Sequence, residues 1–319
     1  MRQAFADAQA ALPFVVAQGR NIETAIYEAR YPEYSYRDLM PVVTEGNQWA
    51  IGTQFYSMQL AGEAKFLSGA ANDMPFNNVS WGEGSHDYAM IGSGWEWNLE
   101  EVNQAALYGR NLNDLKAMSA SRSTERLLYD IATTGSTEKN WRGFVNQSNV
   151  QTITAAANGV GNSTLFVNKT PQQILSDLNA VLKLVPQASN NVELAGTISL
   201  PLEVMDYIAT TFVGTEANSP TILERFRTSN VYTARTGRPL EITTADSLST
   251  AGSGGGGRIV AYRKALDVIR FHLPMPRMVL PVHQKTIMGF ETGIIARTGG
   301  VEVRLPGAMA YMDGVSEPA

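Results

Sequence analysis

The sequence predicts an α+β fold in which an extended, irregular segment precedes one long helix. Residues 54–95 are rich in glycine and aromatic residues and show neither helical nor strand periodicity. Residues 98–134 carry apolar residues at steps of three and four, the spacing of one helix face. From about residue 190, short β-favouring runs alternate with short helical ones.

Composition describes a folded protein with few charges. The 319 residues are 44% hydrophobic and 17% charged, with a net charge of −5. No run of Lys or Arg exceeds two residues, whereas proteins that bind nucleic acid tightly cluster their basic residues. The lack of cysteine excludes disulfides and thiolate metal sites. No stretch approaches the ~18 apolar residues of a membrane span.

Residues 1–53 are predicted to form an N-terminal arm. Asp7–Val16 has the pattern of a short helix broken by Pro13, and Pro32 excludes a helix interior in the aromatic-rich stretch 26–34. Asp38–Val42 is predicted to be an extended segment laid along another surface.

Residues 54–97 are predicted to form an extended loop. Phe55–Leu60 and Asp87–Ile91 are candidate strands that would pair as the two legs of a long hairpin, with turn-forming residues between them. Aromatic residues on such a segment suit anchoring in a neighbouring molecule. Trp95 and Trp97 adjoin the helix and fit packing on the protein's own core equally well. The candidate contact residues are Lys65, Trp81, Tyr88, Trp95 and Trp97.

The long helix is predicted to begin after Asn98, a suitable N-cap, with acidic residues in its first turn. Gly135 is a suitable residue for the C-terminal end of the helix. A break at Gly109 would divide the helix into a short and a long one. A core helix of a bundle is the alternative, but no second helix of comparable length follows. Pro171–Val185 is predicted to be a second helix that Pro186 ends.

The rest of the chain is predicted to be a compact α+β region followed by a strand-rich tail. Gly293–Thr298 and Val301–Leu305 alternate around Gly299-Gly300, which predicts a hairpin. The other predicted elements are the strands Gly196–Leu200, Leu240–Thr243, Ile259–Arg263, Val268–Leu273 and Ala308–Met312, and the helices Pro201–Thr211 and Ser219–Arg227.

No catalytic, cofactor or metal site is predicted. The glycine run 252–257 leads into the strand-like Arg258-Ile259-Val260 rather than the Lys-Ser/Thr of a phosphate loop, so it is predicted to be a flexible loop tip between strands. The three histidines, His86, His272 and His283, have no metal-ligand spacing, and no GxSxG occurs. Adjacent acidic residues such as Glu100-Glu101 point in different directions on a helix, so the start of the helix explains them better than acid–base catalysis does.

The order and spacing of several short motifs resemble those of the major capsid proteins of tailed double-stranded-DNA phages, which have the Hong Kong 97-type fold. Each motif is weakly specific alone. They are Tyr36–Val42, Gly62–Lys65, Asn72–Pro75, Leu99–Glu101 with Asn111-Leu112, and Asp130–Ala132 with Gly143–Asn146.

The resemblance implies a domain order and an assembly. It implies subunits that form hexamers and pentamers and close an icosahedral shell around phage DNA, with the loop at Gly254, Gly255 and Gly256 near a symmetry axis. The implied regions are the N-terminal arm (1–53), the extended loop (54–97), a peripheral domain with the spine helix (98–189), an axial domain (190–275) and return strands of the peripheral domain (276–319).

The resemblance also implies partners. Some relatives carry a long charged scaffolding segment at the N-terminus, and this chain has none, so a separate scaffolding protein is expected, together with portal and decoration proteins. Packaged DNA would be contacted without sequence specificity, and synthesis would occur in the host bacterial cytoplasm. Some capsids of this type join a loop lysine to a neighbour's asparagine. Lys65 is the candidate here, and an ordinary solvated lysine is the alternative.

Two other interpretations remain open at the level of sequence. An encapsulin-like bacterial nanocompartment shares the fold and would hold protein cargo rather than DNA. A soluble α+β hydrolase with an unrecognised site would form small oligomers with a polar pocket.

Overall fold

The computed structural model describes residues 36–61, 78–107, 112–214, 216 and 218–317. The predictions for Asp7–Val16, for residues 26–34, for Lys65 and for a helix break at Gly109 lie outside these residues.

Helices and strands are mixed along the chain. The helices are α1 (Tyr36–Leu39), α2 (Leu99–Leu107), α3 (Leu112–Thr133), α4 (Pro171–Ala188), α5 (Leu202–Thr210), α6 (Ile222–Thr228) and α7 (Val231–Thr236). The strands are β1 (Val42–Val43), β2 (Gly52–Ala61), β3 (Asn78–Asp87), β4 (Ala89–Asn98), β5 (Gly135–Ser136), β6 (Trp141–Arg142), β7 (Gln151–Thr154), β8 (Thr197–Leu200), β9 (Glu241–Thr244), β10 (Arg258–Tyr262), β11 (Ile269–His272), β12 (Met275–Val279), β13 (His283–Gln284), β14 (Gly289–Thr298), β15 (Gly300–Val303) and β16 (Met309–Asp313).

Among the described residues, these strands form five sheets. The largest has the order β7-β16-β10-β8-β9, and a three-stranded sheet has the order β1-β11-β15. A further sheet joins β12, β14 and β13, with β4 also paired to β14. The pairs β2-β3 and β5-β6 are two-stranded.

The extended hairpin is present, but its second leg differs from the prediction. β2 pairs antiparallel with β3 from Gly52 opposite Asp87 to Ala61 opposite Asn78. β4, which contains most of the predicted second leg, instead pairs with β14 along its whole length. The prediction was wrong because a two-stranded ribbon without a core face needs no apolar alternation, and β3 therefore lacks the usual strand pattern.

The long helical pattern corresponds to α2 and α3. The carboxylate of Glu101 accepts a hydrogen bond from the backbone N–H of Asn98, as expected at a helix start. Gly135 follows α3 with φ +84°, a left-handed conformation suited to a helix stop. The buried stripe of α3 consists of Ala120, Thr124, Leu128, Ile131 and Ala132. Leu115, Met118 and Leu127 also follow the apolar spacing of the helix but are exposed.

The second helix, α4, starts as predicted and ends later. Thr170 and Gln173 form a reciprocal capping box, and Pro171 occupies the first turn. The helix continues through Pro186, which is buried, and ends at Ala188. Pro186 lies in the last turn, so its missing N–H removes only one hydrogen bond near the end.

Two segments depart from the predicted arrangement. Asp38–Val42 does not lie extended on another surface, because α1 is a helical turn and β1 pairs parallel with β11 in the subunit's own core. The predicted hairpin around Gly299-Gly300 was also wrong. β14 pairs with β4, β12 and β13, whereas β15 pairs antiparallel with β11. The Gly299 N–H and the Thr298 hydroxyl both donate to the carbonyl of His272, which directs the chain from one sheet to the other.

Two core clusters share the central strands β10 and β16. Val260 and Tyr262 of β10 belong to the first cluster, with residues of α1, α3 and β11. Ile259 and Ala261 belong to the second, with α4, α5 and α6. Successive side chains on a strand point to opposite faces, so these two strands are buried on both sides.

Candidate assembly surfaces

The hairpin β2–β3 exposes large aromatic side chains. Trp81 is 70% exposed, and Tyr56 on the opposite strand is exposed to a similar degree. Within the described residues, neither strand of the hairpin pairs with any strand outside it. Exposed tryptophan is rare on a monomer surface and frequent in interfaces, which makes the hairpin a candidate contact element.

The other aromatic candidates lie closer to the body of the subunit. Trp97 stands opposite Phe290 on the paired strands β4 and β14, and the two rings stack with centroids 6.0 Å apart. Tyr88 is half-buried, and its hydroxyl lies 3.3 Å from His272 Nδ1. Trp95 is half-buried at the edge of a surface groove. Trp97 and Tyr88 therefore contribute to the subunit's own packing, whatever they contact in an assembly.

The groove beside Trp95 has a volume of about 670 Å³. Its lining includes Leu280 and Pro281 and glycines of β4 and β14. The acidic residues Glu96 and Glu291 lie at the rim, and Lys285 Nζ bridges them at 3.4 and 3.2 Å.

An exposed apolar patch adjoins this groove, on β12 and on the turns that flank β13. Ile287 is 92% exposed, the largest exposure among the described large hydrophobic residues. A cluster of exposed large apolar residues in one region of the chain is a candidate interaction surface. Its other members are Met278, Val279, Leu280, Val282 and Met288.

The base of the hairpin rests on a buried polar cluster. His272 Nε2 lies 2.7 Å from Glu302 Oε2, and Arg304 Nε donates to Glu302 Oε1 at 3.0 Å. Burial disfavours ionisation of Glu302, but the hydrogen bonds from His272 and Arg304 outweigh it and lower its pKa to about 2. His86 Nε2 donates to the carbonyl of Gly299. Burial lowers the pKa of the His86 imidazole and raises that of the Tyr88 hydroxyl.

The Gly143–Asn146 turn closes the C-terminal end of α3. The amides of Phe144 and Val145 donate to the carbonyls of Ala132 and Thr133. Gly143 has no room for a side chain, since a Cβ there would lie 2.1 Å from the Thr133 carbonyl oxygen. The Asn146 side chain accepts a hydrogen bond from the Gly143 amide at 2.7 Å and donates to the Thr134 carbonyl at 2.8 Å.

The glycine run forms a turn fixed by an ion pair. The Ser253 amide donates to Asp313 Oδ2 at 3.1 Å, and Asp313 also accepts two hydrogen bonds from Arg258, at 2.6 and 2.8 Å. Gly254 is exposed and Gly255 is half-buried, whereas Gly256 is buried against the backbone of Ser316.

Sequence reasoning missed the polar cluster and the apolar patch around Ile287. His86, His272 and Glu302 are far apart in the chain, so no local spacing connects them. The patch had a local signal, the run Met278–Val282 with Ile287-Met288, which was not distinguished from core strand sequence.

Other features of the described part of the chain are limited. Within it, no group of three or more His, Cys, Asp or Glu side chains is arranged to hold a metal ion. None of its helices combines the length and the apolar character that crossing a bilayer requires.

Comparison with known proteins connects this fold to capsids. The closely superimposable structures include the capsid of Myoviridae phage XM1, with a TM-score of 0.79 and 15% identity over 94% of this chain and 98% of that chain. They also include Microbacterium phage Oxtober96, with a TM-score of 0.64 and 10% identity over 95% and 98% of the chains. The capsid of a native GTA particle, computed with C5 symmetry, gives a TM-score of 0.63 and 10% identity over 96% and 99%. At these identities the likeness shows the fold, and the predicted α+β fold of the Hong Kong 97-like kind agrees with it.

Sequence comparison identifies the family. A search of curated proteins found no match. The family described as "Major capsid protein" matches residues 62–315, most of the chain. The chain therefore belongs to the family of major capsid proteins.

Proposed function

We propose that this subunit assembles as hexamers and pentamers into the icosahedral shell of a tailed phage and encloses its double-stranded DNA. The observation that carries the proposal, beside family membership, is the exposed hairpin with Trp81 at its surface. Large apolar surfaces that a single subunit leaves open become buried when many copies associate.

The surfaces have distinct roles in this proposal. The hairpin β2–β3, with Trp81 on it and Lys65 in its connecting segment, reaches a neighbouring copy. The groove beside Trp95 and the apolar patch at 278–288 form further contacts between copies. The turn at Gly254–Gly256 faces a symmetry axis. The same proposal divides the chain into arm, extended loop, peripheral domain, axial domain and return strands.

The proposal extends to partners and location. The role is structural rather than catalytic, as befits a family of shell subunits. A separate scaffolding protein takes part in assembly, a portal and decoration proteins bind the shell, and packaged DNA contacts the shell without sequence specificity. The subunit is made in the host bacterial cytoplasm and resides in the virion capsid.

A hairpin-tip replacement tests the proposal. Ala61 and Asn78 are directly opposed, so residues 62–77 can be replaced by Asn-Gly, the preferred two-residue hairpin turn. The expected product folds but does not form closed shells when it is co-expressed with the scaffolding protein, because its reach to the neighbour is lost. Circular dichroism checks the folding, and sedimentation with negative-stain electron microscopy checks the assembly.

The control for the replacement is the unaltered chain expressed in parallel. Closed shells of normal size from the shortened chain would contradict the proposal. The nucleic acid content of shells from infected cells then separates a virion from a nanocompartment, which would hold protein cargo.

A further inference from the structure

Among the described residues, the contacts between the hairpin and the body of the subunit include ionisable and polar groups. His86, near the end of β3, donates from Nε2 to the carbonyl of Gly299, which lies between β14 and β15. Phe55 on β2 lies under the guanidinium of Arg304, 4.6 Å from the ring centroid. Tyr88 connects the junction of β3 and β4 to His272.

The hydrogen bond to Gly299 determines which tautomer of the neutral His86 ring fits this site. A carbonyl oxygen can only accept, so Nε2 must carry the proton and, in the neutral ring, Nδ1 carries none. The imidazole lies between Trp141, which stacks on it at 6.3 Å, and His272, whose ring centroid is 5.3 Å away. The neutral ring thus satisfies the site without placing a charge in it.

A second proton on His86 would meet a mixed set of charges. On its own strand the neighbour is Asp87, and the facing strand β11 presents His272 and Arg270. β15 presents Glu302 and Arg304, but Glu302 already accepts from His272 and Arg304 and lies 3.8 Å from Arg270 Nε. The one buried carboxylate therefore has three cationic or hydrogen-bonding partners and little capacity to stabilise another cation.

We propose that His86 and the cluster of Tyr88, His272, Glu302 and Arg304 form a pH-sensitive latch that holds the hairpin base against the body of the subunit. The latch is closed while His86 is neutral, and it opens when His86 takes up a proton and moves into solvent. The latch is a property of the folded subunit and does not depend on the proposed shell. Only its consequence rests on the proposed function, because in a shell the angle of the hairpin would then depend on pH.

The direction of the pH dependence follows from linkage. Burial lowers the pKa of His86 below that of the free side chain, so the closed state is fully favoured above about pH 6.5 and weakens as the pH falls below it. Glu302 does not titrate in this range, because its pKa is about 2. Tyr88 stays protonated throughout, since burial raises its pKa.

Hydrogen–deuterium exchange of the full-length, unassembled subunit tests the latch. The amides to follow are those of Tyr88, bonded to the Ile51 carbonyl, and of Gly299, bonded to the His272 carbonyl. After correction for the intrinsic pH dependence of exchange, their opening is expected to increase up to about tenfold between pH 7.5 and 5.5, the limit for a free histidine pKa of about 6.5.

Two substitutions identify the responsible group. His86→Gln keeps a donor for the Gly299 carbonyl but cannot titrate in this range, so the Tyr88 and Gly299 amides of this variant should not respond to pH. His283→Gln is the matched control, because His283 is exposed and lies outside the cluster, and it should respond as the unaltered chain does. An unaltered chain that does not respond, or a His86→Gln chain that responds equally, would overturn the proposal and leave the shell proposal untouched.

A second measurement avoids any folding defect of the His86 variant. Opening removes the His86 imidazole from the face of Trp141, so the fluorescence contribution of Trp141, obtained by difference from Trp141→Phe, should change with a midpoint below about pH 6.5. A constant contribution between pH 7.5 and 5 would equally overturn the proposal.

Discussion

Phe144 illustrates how a short motif acts on the fold at the scale of a single residue. Its ring is fully buried and meets Tyr262 edge to face, with centroids 5.0 Å apart. Its carbonyl accepts a hydrogen bond from the Tyr311 hydroxyl at 2.7 Å. The turn after α3 therefore places one aromatic ring between the helix end and the central strands β10 and β16.

Phe144→Ala should destabilise the subunit strongly. Loss of a buried aromatic ring leaves a cavity, and the expected decrease in the free energy of unfolding is about 3–5 kcal/mol. Urea denaturation followed by circular dichroism measures it. Phe212→Ala is the control, because Phe212 is largely exposed, and its effect should stay within about 0.5 kcal/mol. Equal effects of the two substitutions would show that the ring does not support the core.

Element-scale features separate the hairpin from the rest of the subunit. β4 and β14 are held by cross-strand pairing along ten positions, and α3 packs on both. Among the described residues, the hairpin β2–β3 has no such partner sheet beyond its base. A two-stranded ribbon is marginal in isolation, so we propose that the full stability of this hairpin requires a contact with a neighbouring copy.

Trp81→Ser tests this requirement directly. Because Trp81 is 70% exposed, the free energy of unfolding of the subunit should change by less than about 0.5 kcal/mol. The yield of closed shells should fall, because interface tryptophans carry a large share of binding energy. Analytical ultracentrifugation of co-expressed particles measures the yield.

The control for Trp81→Ser is Val160→Ser, which removes an exposed apolar side chain between β7 and α4. Val160 is 83% exposed and should be neutral in both assays. A Trp81→Ser chain that assembles as well as this control would exclude Trp81 from the interface.

At the scale of the whole described part of the chain, the two core clusters are coupled through shared strands. β16 contributes Met309 to the first cluster and Met312 to the second. A disruption on either face must displace the same backbone. The clusters are therefore expected to unfold together.

Met309→Ala and Met312→Ala provide a matched pair for testing this coupling. Each removes the same side chain from one strand, and each should lower the free energy of unfolding by about 2–5 kcal/mol. Both variants should show one transition, coincident in tryptophan fluorescence and far-ultraviolet circular dichroism. Two separate transitions, each moved by only one substitution, would show that the clusters are independent.

Local signals in the sequence were sufficient for the second predicted helix, α4, and for the fold class. Thr170, Pro171 and Gln173 lie within four positions of one another and specify the start of α4 by direct hydrogen bonding and fixed backbone geometry. The capsid fold itself was also predicted, because short motifs kept their order along the chain. The prediction of the later helices was less complete, because α7 (Val231–Thr236) was not predicted.

Tertiary structure alone decided which strands pair and where the polar cluster forms. β4 pairs with β14, almost two hundred positions later, and β14 and β15 separate into different sheets although they are adjacent. His86 and Gly299 are 213 positions apart. A local pattern specifies whether a segment is a strand and which face is apolar. The choice of partner depends on the packing of the whole chain, which no local spacing records.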